Sequence, residues 1–374
     1  MARPEIAACR RVVLKLGTRV LADDTGRLVT PRLRAIVDTA AALRRSEREV
    51  VLVSSGAVGL GRRLLGLEAA DDPAERRACA AAGQSRLMGA YQRRFAAQDL
   101  ICAQVLLTED DFDHRRRCLE LRATLRRLID CGALPVLNEN DAVAHGALGR
   151  LDLANRTVFS DNDRLAALVG AELGADLVVL LTDVDGVFDA DPRHDPTACV
   201  IHRLENLDAV LTHLDAVPGS GLSRGGMRAK VEAAKLASQA GAHVVIARAD
   251  DVDRVVAGDE VGSWARATTA PPARRRWIAW SAAVRGTLHL DAGAVTALCE
   301  RHASLLPVGV RGVDGKFSVG DVVELRGPSG ALIGRGLMSY DAETVRAWCR
   351  GLAPDGDHNC LIRRNDVFFV ENGP

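Results

Sequence analysis

Aromatic residues are scarce in this sequence: only seven Phe, four Trp and two Tyr occur among 374 residues. Apolar residues are nonetheless plentiful, at 48% of the chain, so a large hydrophobic core is available. That core must be built mainly from Ala, Val and Leu. Because the chain is too long for one ordinary core, its length favours two domains.

Net charge is also absent. Lys plus Arg number 49 and Asp plus Glu number 49, so no overall field favours binding to nucleic acid or to an anionic membrane. The nine cysteines include no Cys-x-x-Cys pair, which argues against a disulfide framework or a zinc site and favours a reducing cytosol. The N-terminus has no apolar signal region, and no run reaches the about 18 apolar residues that span a bilayer. We therefore expect a soluble, cytoplasmic protein without a membrane partner.

Two common nucleotide-binding motifs are missing. The chain contains no GxxxxGK[ST] phosphate loop, and no GxGxxG follows the first predicted strand. The first absence argues against a P-loop protein, and the second disfavours a dinucleotide-binding fold.

Short apolar runs alternate with helical patterns over the first 260 residues or so. The predicted strands are 12–16, 50–53, 101–107, 134–137, 177–181 and 243–247. The predicted helices are 31–45, 73–98, 117–131, 162–173 and 227–240. Continuous apolar strands that alternate with helices predict a mostly parallel sheet covered on both faces, that is, a three-layer α/β/α sandwich.

The alternation stops near residue 262. The run TTAPPARRR at 268–276 is rich in Pro and Arg, which is typical of a linker, and we expect its arginines to lie in a solvated hinge. Short segments separated by Gly follow, and they predict a small β-rich barrel or sandwich of about 85 residues with one clear helix, 291–301. The predicted boundaries are 8–263 for the first domain, 264–283 for the linker and 284–370 for the second domain.

Two patches are dense in side-chain amides and carboxylates. NEND at 138–141 directly follows the apolar run 133–137, and SDND at 160–163 follows some twenty residues later. Polar groups just past the carboxyl end of a buried strand lie where open α/β sheets bind ligands. A turn alone would need one Asn or Asp, so we interpret the patches as a binding site, with ordinary turn chemistry as the alternative.

Two lysines predict an anion site. Lys15 interrupts the first strand just before Gly17, and a lysine at the end of a buried strand is desolvated unless an anion pairs with it. The alternative is an ammonium group that reaches the surface. Lys230 follows the glycine-rich run 219–226, which we expect to be a mobile loop that places Lys230 in the first turn of a helix. Free N–H groups and a cation there suit a polyphosphate, while a flexible linker is the alternative.

Two turns after predicted strands add further candidates. Gly56 lets the backbone approach a ligand after Ser55, although Ser55 could simply cap the next helix. The acids that follow Thr182 could hold a ribose, a nucleotide amine or a metal-bound water, or they could form a turn that ends at Gly186. A calcium loop is excluded because hydrophobic residues occupy its middle.

Taken together, these groups predict phosphoryl transfer, which needs in-line geometry and cations over the transferring group. Lys15 and Lys230 would supply the cations, and Asp163 would orient both of them. An amino-acid acceptor fits, since a carboxylate pairs with its ammonium group while amides and hydroxyls bind its carboxylate oxygens. The residues expected to bind this acceptor are Ser55, Asp141 and Asn162.

The chain resembles the glutamate 5-kinase family of the amino acid kinase superfamily, with a C-terminal PUA domain. In the first part of the chain the matching segments are VVLKLGT (12–18), VSSGAVGLG (53–61), AAGQSRLM (81–88), QVLLTEDD (104–111), PVLNENDAVA (135–144), SDNDRLAALV (160–169), LLTDVDGVFDADPR (180–193) and GGMRAK (225–230). In the second part they are RRRW (274–277), SLLPVGV (304–310) and GKFSVGDVVEL (315–325). The resemblance therefore covers nearly the whole chain in the family's order.

The resemblance implies the amino acid kinase fold with a PUA-like second domain. It implies ATP-dependent phosphorylation of the side-chain carboxylate of L-glutamate to L-glutamyl 5-phosphate, the first step of proline biosynthesis. ATP would be the co-substrate, and Mg²⁺ would bridge its phosphates rather than occupy a protein cage. Feedback inhibition by proline, a homodimer or homotetramer, and a glutamyl phosphate reductase that consumes the product are further expectations.

The resemblance also assigns roles to individual residues. Lys15 and Lys230 would stabilise the transferring phosphoryl group, with Asp163 organising them. The residues implied to bind glutamate are Ser55, Asp141, Asn162 and Asn138. The residues implied to bind ATP are Lys15, Thr182, Asp183, Arg224, Gly225, Gly226, Met227, Arg228, Ala229 and Lys230. No residue is expected to be a metal ligand.

Three alternatives stay open beside this assignment. A kinase of the same fold could act on another acidic amino acid. The PUA-like domain could bind RNA, although the balanced charge and the few aromatic residues weaken that hypothesis. A regulatory pseudoenzyme is disfavoured because Lys15, Asp163 and Lys230 are all present. The segment 145–159 looks longer than usual beside the expected glutamate and proline site, and Arg224 stands where the family commonly has Thr.

Overall fold

The computed structural model describes residues 2–23, 25–68, 72–143, 162–216, 221–350 and 360–370, with only the backbone described at 215–216 and 221–225. The chain forms two compact units. The first comprises Met1–Asp111 and Arg116–Ala270, and the second comprises Phe112–Arg115 and Pro271–Pro374. The domain boundaries expected from the sequence stay predictions. The enlarged segment 145–159 lies outside the described residues.

The first unit is built on a sheet of seven strands within the described residues. Its strands are β1 (Arg11–Leu16), β2 (Glu49–Ser54), β3 (Cys102–Leu107), β4 (Leu134–Glu139), β5 (Leu177–Thr182), β6 (His243–Arg248) and β7 (Ser263–Ala265). They lie in the order β3-β4-β2-β1-β5-β6-β7. All neighbours pair in parallel except β6 and β7. The mostly parallel sheet is therefore confirmed, and the antiparallel strand β7 is the one that the sequence pattern did not reveal.

Helices follow the predicted alternation over residues 4–257, of which 112–115 belong to the second unit. They are α1 (Pro4–Ala7), α2 (Thr18–Leu21), α3 (Thr30–Arg45), α4 (Ala57–Leu64), α5 (Pro73–Ala96), α6 (Asp110–Asp113), α7 (Arg115–Asp130), α8 (Asn162–Leu173), α9 (Leu207–Ala216), α10 (Gly221–Gln239) and α11 (Val252–Ala257). The central strands β1 and β5 are almost wholly buried, and helices cover them. Across the described ranges, no helix combines the length and the apolar character needed to cross a bilayer.

One predicted helix begins earlier than expected. Helix α10 starts at Gly221 rather than at 227, so the mobile loop expected at 219–226 is wrong for its helical residues, while 219 and 220 lie outside the described part of the chain. Glycine lowers helix stability by only about 1 kcal/mol per residue, and packing of the rest of α10 against α8 and β6 outweighs this cost. Lys230 therefore lies in the third helical turn and not in the first.

The second unit contains a sheet of five strands among its described residues. Its elements are α12 (Ala273–Arg276), β8 (Val284–Leu290), α13 (Ala292–Cys299), β9 (Val310–Gly315), β10 (Val322–Arg326), β11 (Leu332–Leu337), α14 (Ala342–Cys349) and β12 (Val367–Phe369). The strand order is β12-β11-β10-β8-β9, with only β8 and β10 parallel. The β-rich second domain is confirmed. The expectation of one clear helix is wrong, because α14 forms as well, with Asp341 accepting from the backbone N of Thr344 at its start.

The arginines after residue 270 are not buried, and the first of them has an acidic partner. The Nε of Arg274 lies 2.6 Å from Oδ1 of Asp366, whose side chain is 8% exposed. Trp277 is buried, and its Nε1 donates to the carbonyl oxygen of Phe112 at 2.8 Å. The guanidinium group of Arg115 lies over the Trp277 ring. The Arg274 side chain is itself 53% exposed, so it is solvated as expected, although it pairs with Asp366 and the next buried side chain is the large indole of Trp277.

The carboxyl ends of β1, β2, β4 and β5 share one edge of the first sheet because these strands are parallel. β1 lies between β2 and β5, so the chain turns to opposite sides of β1 at this edge. Such a switch point opens a crevice in which doubly wound sheets bind ligands. The residues that follow these four strands form the candidate site.

Candidate functional site

Two lysines and one aspartate form a buried group at this edge, which we call the ion cluster (Lys15, Asp163 and Lys230). The Nζ of Lys15 lies 2.7 Å from Oδ1 of Asp163. The Nζ of Lys230 lies 2.9 Å from Oδ2 of the same carboxylate. The Asp163 side chain has no exposed surface, and the two lysine side chains are 3% and 12% exposed. The structure thus brings together the three residues that the sequence singled out.

Three elements position the ion cluster. Lys15 lies near the end of the central strand β1, Asp163 lies in the first turn of α8, and Lys230 comes from α10, which packs against α8. A negative charge is favoured in the first turn of a helix. Gly17 follows β1 directly, and a Cβ added there would lie 3.7 Å from the Lys15 ammonium group. A Cβ at that position would be in ordinary van der Waals contact with the ammonium group.

The charges of the ion cluster do not cancel. Burial would raise the pKa of Asp163, but the ammonium groups of Lys15 and Lys230 outweigh burial and hold that pKa below its usual value. Asp163 therefore stays ionised, and the three residues together carry one net positive charge. Such a charge in a buried position favours an anionic ligand next to it.

Four uncharged side chains form a second group, which we call the amide chain (Gln84, Asn138, Asn162 and Ser55). The Nδ2 of Asn138 donates to Oε1 of Gln84 at 2.9 Å. The Nδ2 of Asn162 donates to Oδ1 of Asn138 at 3.1 Å and to Oγ of Ser55 at 2.8 Å. Gln84, Asn138 and Ser55 are buried. Asn162 directly precedes Asp163 on α8, so the amide chain adjoins the ion cluster.

Two acids lie at the end of β4, beside the amide chain. Burial raises the pKa of Glu139 to about 8, with repulsion from Asp141 and Glu109 adding to the effect. Burial also raises the pKa of Asp141, while the positive charge of Arg76 opposes this shift. Both carboxylates are therefore easier to protonate than exposed acids, and a cation that bound beside them would favour their ionised forms.

A cavity of about 410 Å³ borders the ion cluster, a volume in the range of small-molecule sites. Its wall is formed by residues that follow β1, β2 and β5 and by residues of α10. The predicted site residues that line it are Lys15, Ser55, Thr182, Asp183, Gly226, Met227 and Lys230. The hydroxyl of Thr182 donates to Oδ1 of Asp183 at 3.1 Å. The cavity also takes in residues 188–193, which lie in the family-like segment 180–193 but were given no role from the sequence.

Comparison with known proteins places the chain in a family. The amino acid kinase family matches residues 10–248, and the PUA domain matches residues 286–358. Glutamate 5-kinase of Gluconobacter oxydans (strain 621H) is 43% identical over 345 residues, which cover 91% of this chain and 89% of that protein. Glutamate 5-kinase of Stutzerimonas stutzeri (strain A1501) is 44% identical, with 91% and 90% covered. Glutamate 5-kinase of Thermobifida fusca (strain YX) is 39% identical, with 99% and 96% covered.

The chain belongs to the glutamate 5-kinases of the amino acid kinase family. The family and the fold class expected from the sequence are thus confirmed, including the PUA domain. The roles of single residues are a separate matter and stay predictions.

The structure does not bring every predicted ATP-binding residue to the cavity of this family member. Arg228 pairs with Glu232 at 3.0 Å, one turn further along α10, and neither Arg228 nor Ala229 is among the described residues that line the cavity. For Arg224 and Gly225 only the helical backbone is described. The helical start of α10 explains this result, because successive residues of a helix point in different directions.

Sequence reasoning placed Glu139 inside the NEND patch (138–141) without giving it a role, and it did not count Gln84 among the site residues. Gln84 has a signal in hindsight, since it is a polar residue directly after the run of small residues 78–83 on a helix.

The scarcity of lysine is a separate signal, and it points to the ion cluster. The chain has four lysines among its 49 basic residues, and two of the four belong to the ion cluster. Lysine offers a compact charge that the planar guanidinium group of arginine does not replace.

Proposed function

We propose that the ion cluster carries the phosphoryl transfer of this glutamate 5-kinase, from ATP to the side-chain carboxylate of L-glutamate. The observation that supports this assignment is the position of Asp163. Its two carboxylate oxygens hold Lys15 and Lys230 at 2.7 and 2.9 Å, and both lysines border the cavity. Two ammonium groups fixed by one buried acid suit the charge that spreads over a transferring phosphoryl group.

The amide chain and its neighbours would bind glutamate. The Oδ1 of Asn162 is buried and has no hydrogen-bond partner among the described residues, so it is an acceptor suited to the α-ammonium group. Asp141 in its ionised form would pair with the same group, while Ser55 and Asn138 would help to hold the amino acid. Ser55 both ends the amide chain and lines the cavity, so the amino acid and the phosphates would meet at the ion cluster.

The chemistry of the glutamate carboxylate explains why Asp163 pairs with two lysines and does not serve as a general base. A glutamate side chain is already ionised at neutral pH, so the reaction needs no general base. One carboxylate oxygen forms a bond to the γ-phosphorus while the bond between that phosphorus and the bridging oxygen of ADP breaks. Asp163, whose pKa is lowered by its two partners, acts by holding the two cations in place.

ATP would occupy the cavity, with its phosphates towards Lys15 and Lys230. Thr182, Asp183, Gly226 and Met227 line the cavity and would contact the nucleotide, and the remaining predicted residues are Arg224, Gly225, Arg228 and Ala229. When bound, Mg²⁺ would bridge phosphate oxygens and neutralise part of their charge. Both oxygens of Asp163 are engaged, and the described residues hold no cluster of three His, Cys, Asp or Glu side chains suited to a metal. These observations fit an ion carried by ATP.

Several further proposals about the whole protein rest on its family. We infer feedback inhibition by proline at or near the glutamate site, and a homodimer or homotetramer in solution. A glutamyl phosphate reductase would consume the acyl phosphate, since such a mixed anhydride hydrolyses readily. A cytoplasmic location fits the compartment in which ATP and glutamate are available.

The experiment that tests the activity is hydroxamate formation from an amino acid, ATP and hydroxylamine. Glutamate is expected to support it, while aspartate, N-acetylglutamate and glutarate are expected to support far less. Proline is added in a parallel series to test inhibition. Equal or higher rates with another acid would mean that the acceptor is not glutamate, and no ATP-dependent product with any acid would rule out the proposed activity.

A further inference from the structure

We propose that Gln84 is a positioning residue for amino-acid recognition, although it makes no contact with the reacting groups. The proposal rests on the proposed glutamate site. Gln84 lies on α5 and is 9% exposed, and among the described residues a hydrogen bond to Asn138 links its side chain to the site. Through that contact it holds the amide chain in the one arrangement that leaves an acceptor for the substrate ammonium group.

The orientation of the Asn138 amide follows from its neighbours. The backbone N of Glu139 can only donate, and it lies 2.9 Å from Oδ1 of Asn138. That atom is therefore the carbonyl oxygen, and the amide nitrogen of Asn138 must face Gln84. The Oε1 of Gln84 accepts from this nitrogen at 2.9 Å, so the buried donor of Asn138 is satisfied by Gln84.

The same logic fixes Asn162. Its Nδ2 faces three acceptors, namely Oδ1 of Asn138 at 3.1 Å, Oγ of Ser55 at 2.8 Å and the carbonyl oxygen of Ser54 at 3.3 Å. Its Oδ1 must then point to the opposite side, where it is buried without a partner among the described residues. A donor from the ligand would satisfy it, and an α-ammonium group is such a donor.

The close approach of two helices brings Gln84 into range. A Cβ added at Gly83 would lie 1.8 Å from the carbonyl oxygen of Ala57, and one added at Gly61 would lie 1.7 Å from the carbonyl oxygen of Cys79. Helices α4 and α5 thus meet backbone to backbone, at the residues that follow Ser55. The next residue on α5 after Gly83 is Gln84, so the glycine contact sets how far its side chain reaches.

Removal of the Gln84 amide would leave a buried donor of Asn138 without its acceptor. A buried donor without an acceptor carries a desolvation penalty, which favours a rotation that gives the donor another partner. Asn138 would then rotate away from Asn162, and the acceptor for the ammonium group would be misplaced. The effect is expected to be specific to the amino acid, because Gln84, Asn138 and Asn162 are not among the described residues that line the ATP cavity.

The test is Gln84→Met, which keeps the length of the side chain and removes the amide. We expect the KM for glutamate to rise about tenfold, which is the weight of one buried hydrogen bond to a charged ligand, with the KM for ATP within about twofold of wild type. The inhibition constant of glutarate, which lacks the ammonium group, should change much less than the KM for glutamate. Gln84→Glu keeps an acceptor oxygen and should restore most of the affinity. Should Gln84→Met not accumulate as folded protein, Gln84→Ala takes its place with the same readouts.

Two controls separate positioning from packing. Tyr91→Phe removes another buried hydrogen bond of α5, the one between the hydroxyls of Tyr91 and Ser54 at 3.0 Å at the end of β2, and should leave the KM for glutamate unchanged. Combined with Asn138→Ala, Gln84→Met should add no further loss, since Gln84 acts through Asn138. An unchanged glutamate KM in Gln84→Met, an equal rise in the ATP KM, or additive losses in the double variant would each overturn the proposal. Absence of glutamate-dependent activity in the wild type would overturn the proposed function instead.

Discussion

The ion cluster and the amide chain lie next to each other on one sheet edge, yet they are built from opposite kinds of groups. The ion cluster holds full charges whose Coulomb energy is strong and insensitive to small rotations. The amide chain holds neutral groups that contribute about 1 kcal/mol per hydrogen bond and only in one orientation. The ion cluster is therefore suited to stabilising a charge that moves during the reaction, while the amide chain is suited to recognising a fixed arrangement of donors and acceptors.

The largest expected effect is in the ion cluster. Lys230→Ala should lower kcat by about 10³-fold, since it removes one preorganised cation from the transferring group, and should change folding stability far less. Steady-state kinetics by hydroxamate formation and thermal unfolding measure the two quantities. Lys235→Ala is the matched control, because Lys235 lies on the same helix and pairs with the exposed acid Asp208. Equal activity of Lys230→Ala and Lys235→Ala would contradict the assignment.

Asp163→Asn should have its main effect on folding. The variant leaves two buried ammonium groups without their shared carboxylate, and loss of one member of a buried ion group costs about 3 kcal/mol. Urea unfolding measures the loss, and added ATP should recover more stability in the variant than in the wild type because its phosphates supply negative charge.

The control for Asp163→Asn is Asp208→Asn. Asp208 also pairs with a lysine, but its side chain is 62% exposed, so its removal should cost less than about 1 kcal/mol. Similar losses of unfolding free energy in the two variants would mean that burial does not determine how much these ion pairs stabilise the fold.

Asp141→Asn tests where charge enters the recognition of glutamate. The variant should raise the KM for glutamate about tenfold, the weight of one charge-assisted hydrogen bond, and leave the KM for ATP unchanged. Burial raises the pKa of Asp141, and only its ionised form pairs with an ammonium group. As pH falls, the KM of the wild type for glutamate should therefore begin to rise at a higher pH than it would if Asp141 had the pKa of an exposed aspartate.

Measurement of both KM values between pH 5 and 8, in wild type and Asp141→Asn, checks this prediction. The variant should show a flatter profile. Impaired ATP binding with an unaltered glutamate KM would mean that Asp141 contributes to ATP binding and not to glutamate binding, and would contradict the assignment.

The smallest effect is expected for Glu139→Gln. The pKa of Glu139 is raised from 4.5 to about 8, so between these values the folded state holds a proton that the unfolded state has released. Stability should fall as pH rises through this range, and the penalty is complete above pH 8. Glu139→Gln should remove it and raise the Tm at pH 9 by on the order of 2 °C relative to wild type, with little change at pH 4.5. Glu120→Gln, at an exposed acid, should show no such pH-dependent gain.

Much of the fold was predictable because apolar runs and helical patterns are local properties. The predicted helix at 162–173 coincides with α8, and six parallel strands were placed within two residues or so. Strand β7 was missed since it has only three residues and forms by pairing with β6. The start of α10 was missed because glycine-rich sequence is a local signal, whereas the packing of the helix is not.

The candidate site was predictable in its charged part more than in its neutral part. A lysine in an apolar strand and an aspartate in an amide-rich patch conflict with their surroundings, so Lys15 and Asp163 attract notice in the sequence alone. Gln84 has no such conflict, because a glutamine on a helix is ordinary. Its part in the site depends on the contact between α4 and α5, which two glycines permit.

The order of strands and helices, the apolar character of the core and the chemical types available for phosphoryl transfer were determined by the sequence itself. Each of these depends on residues that are near neighbours along the chain. The meeting of Lys15, Asp163 and Lys230 at one carboxylate, and the direction in which the Asn162 amide points, were decided only by the tertiary structure. They depend on the neighbours of β1 in the sheet and on the packing of α5, α8 and α10, which arise from contacts between residues far apart in sequence.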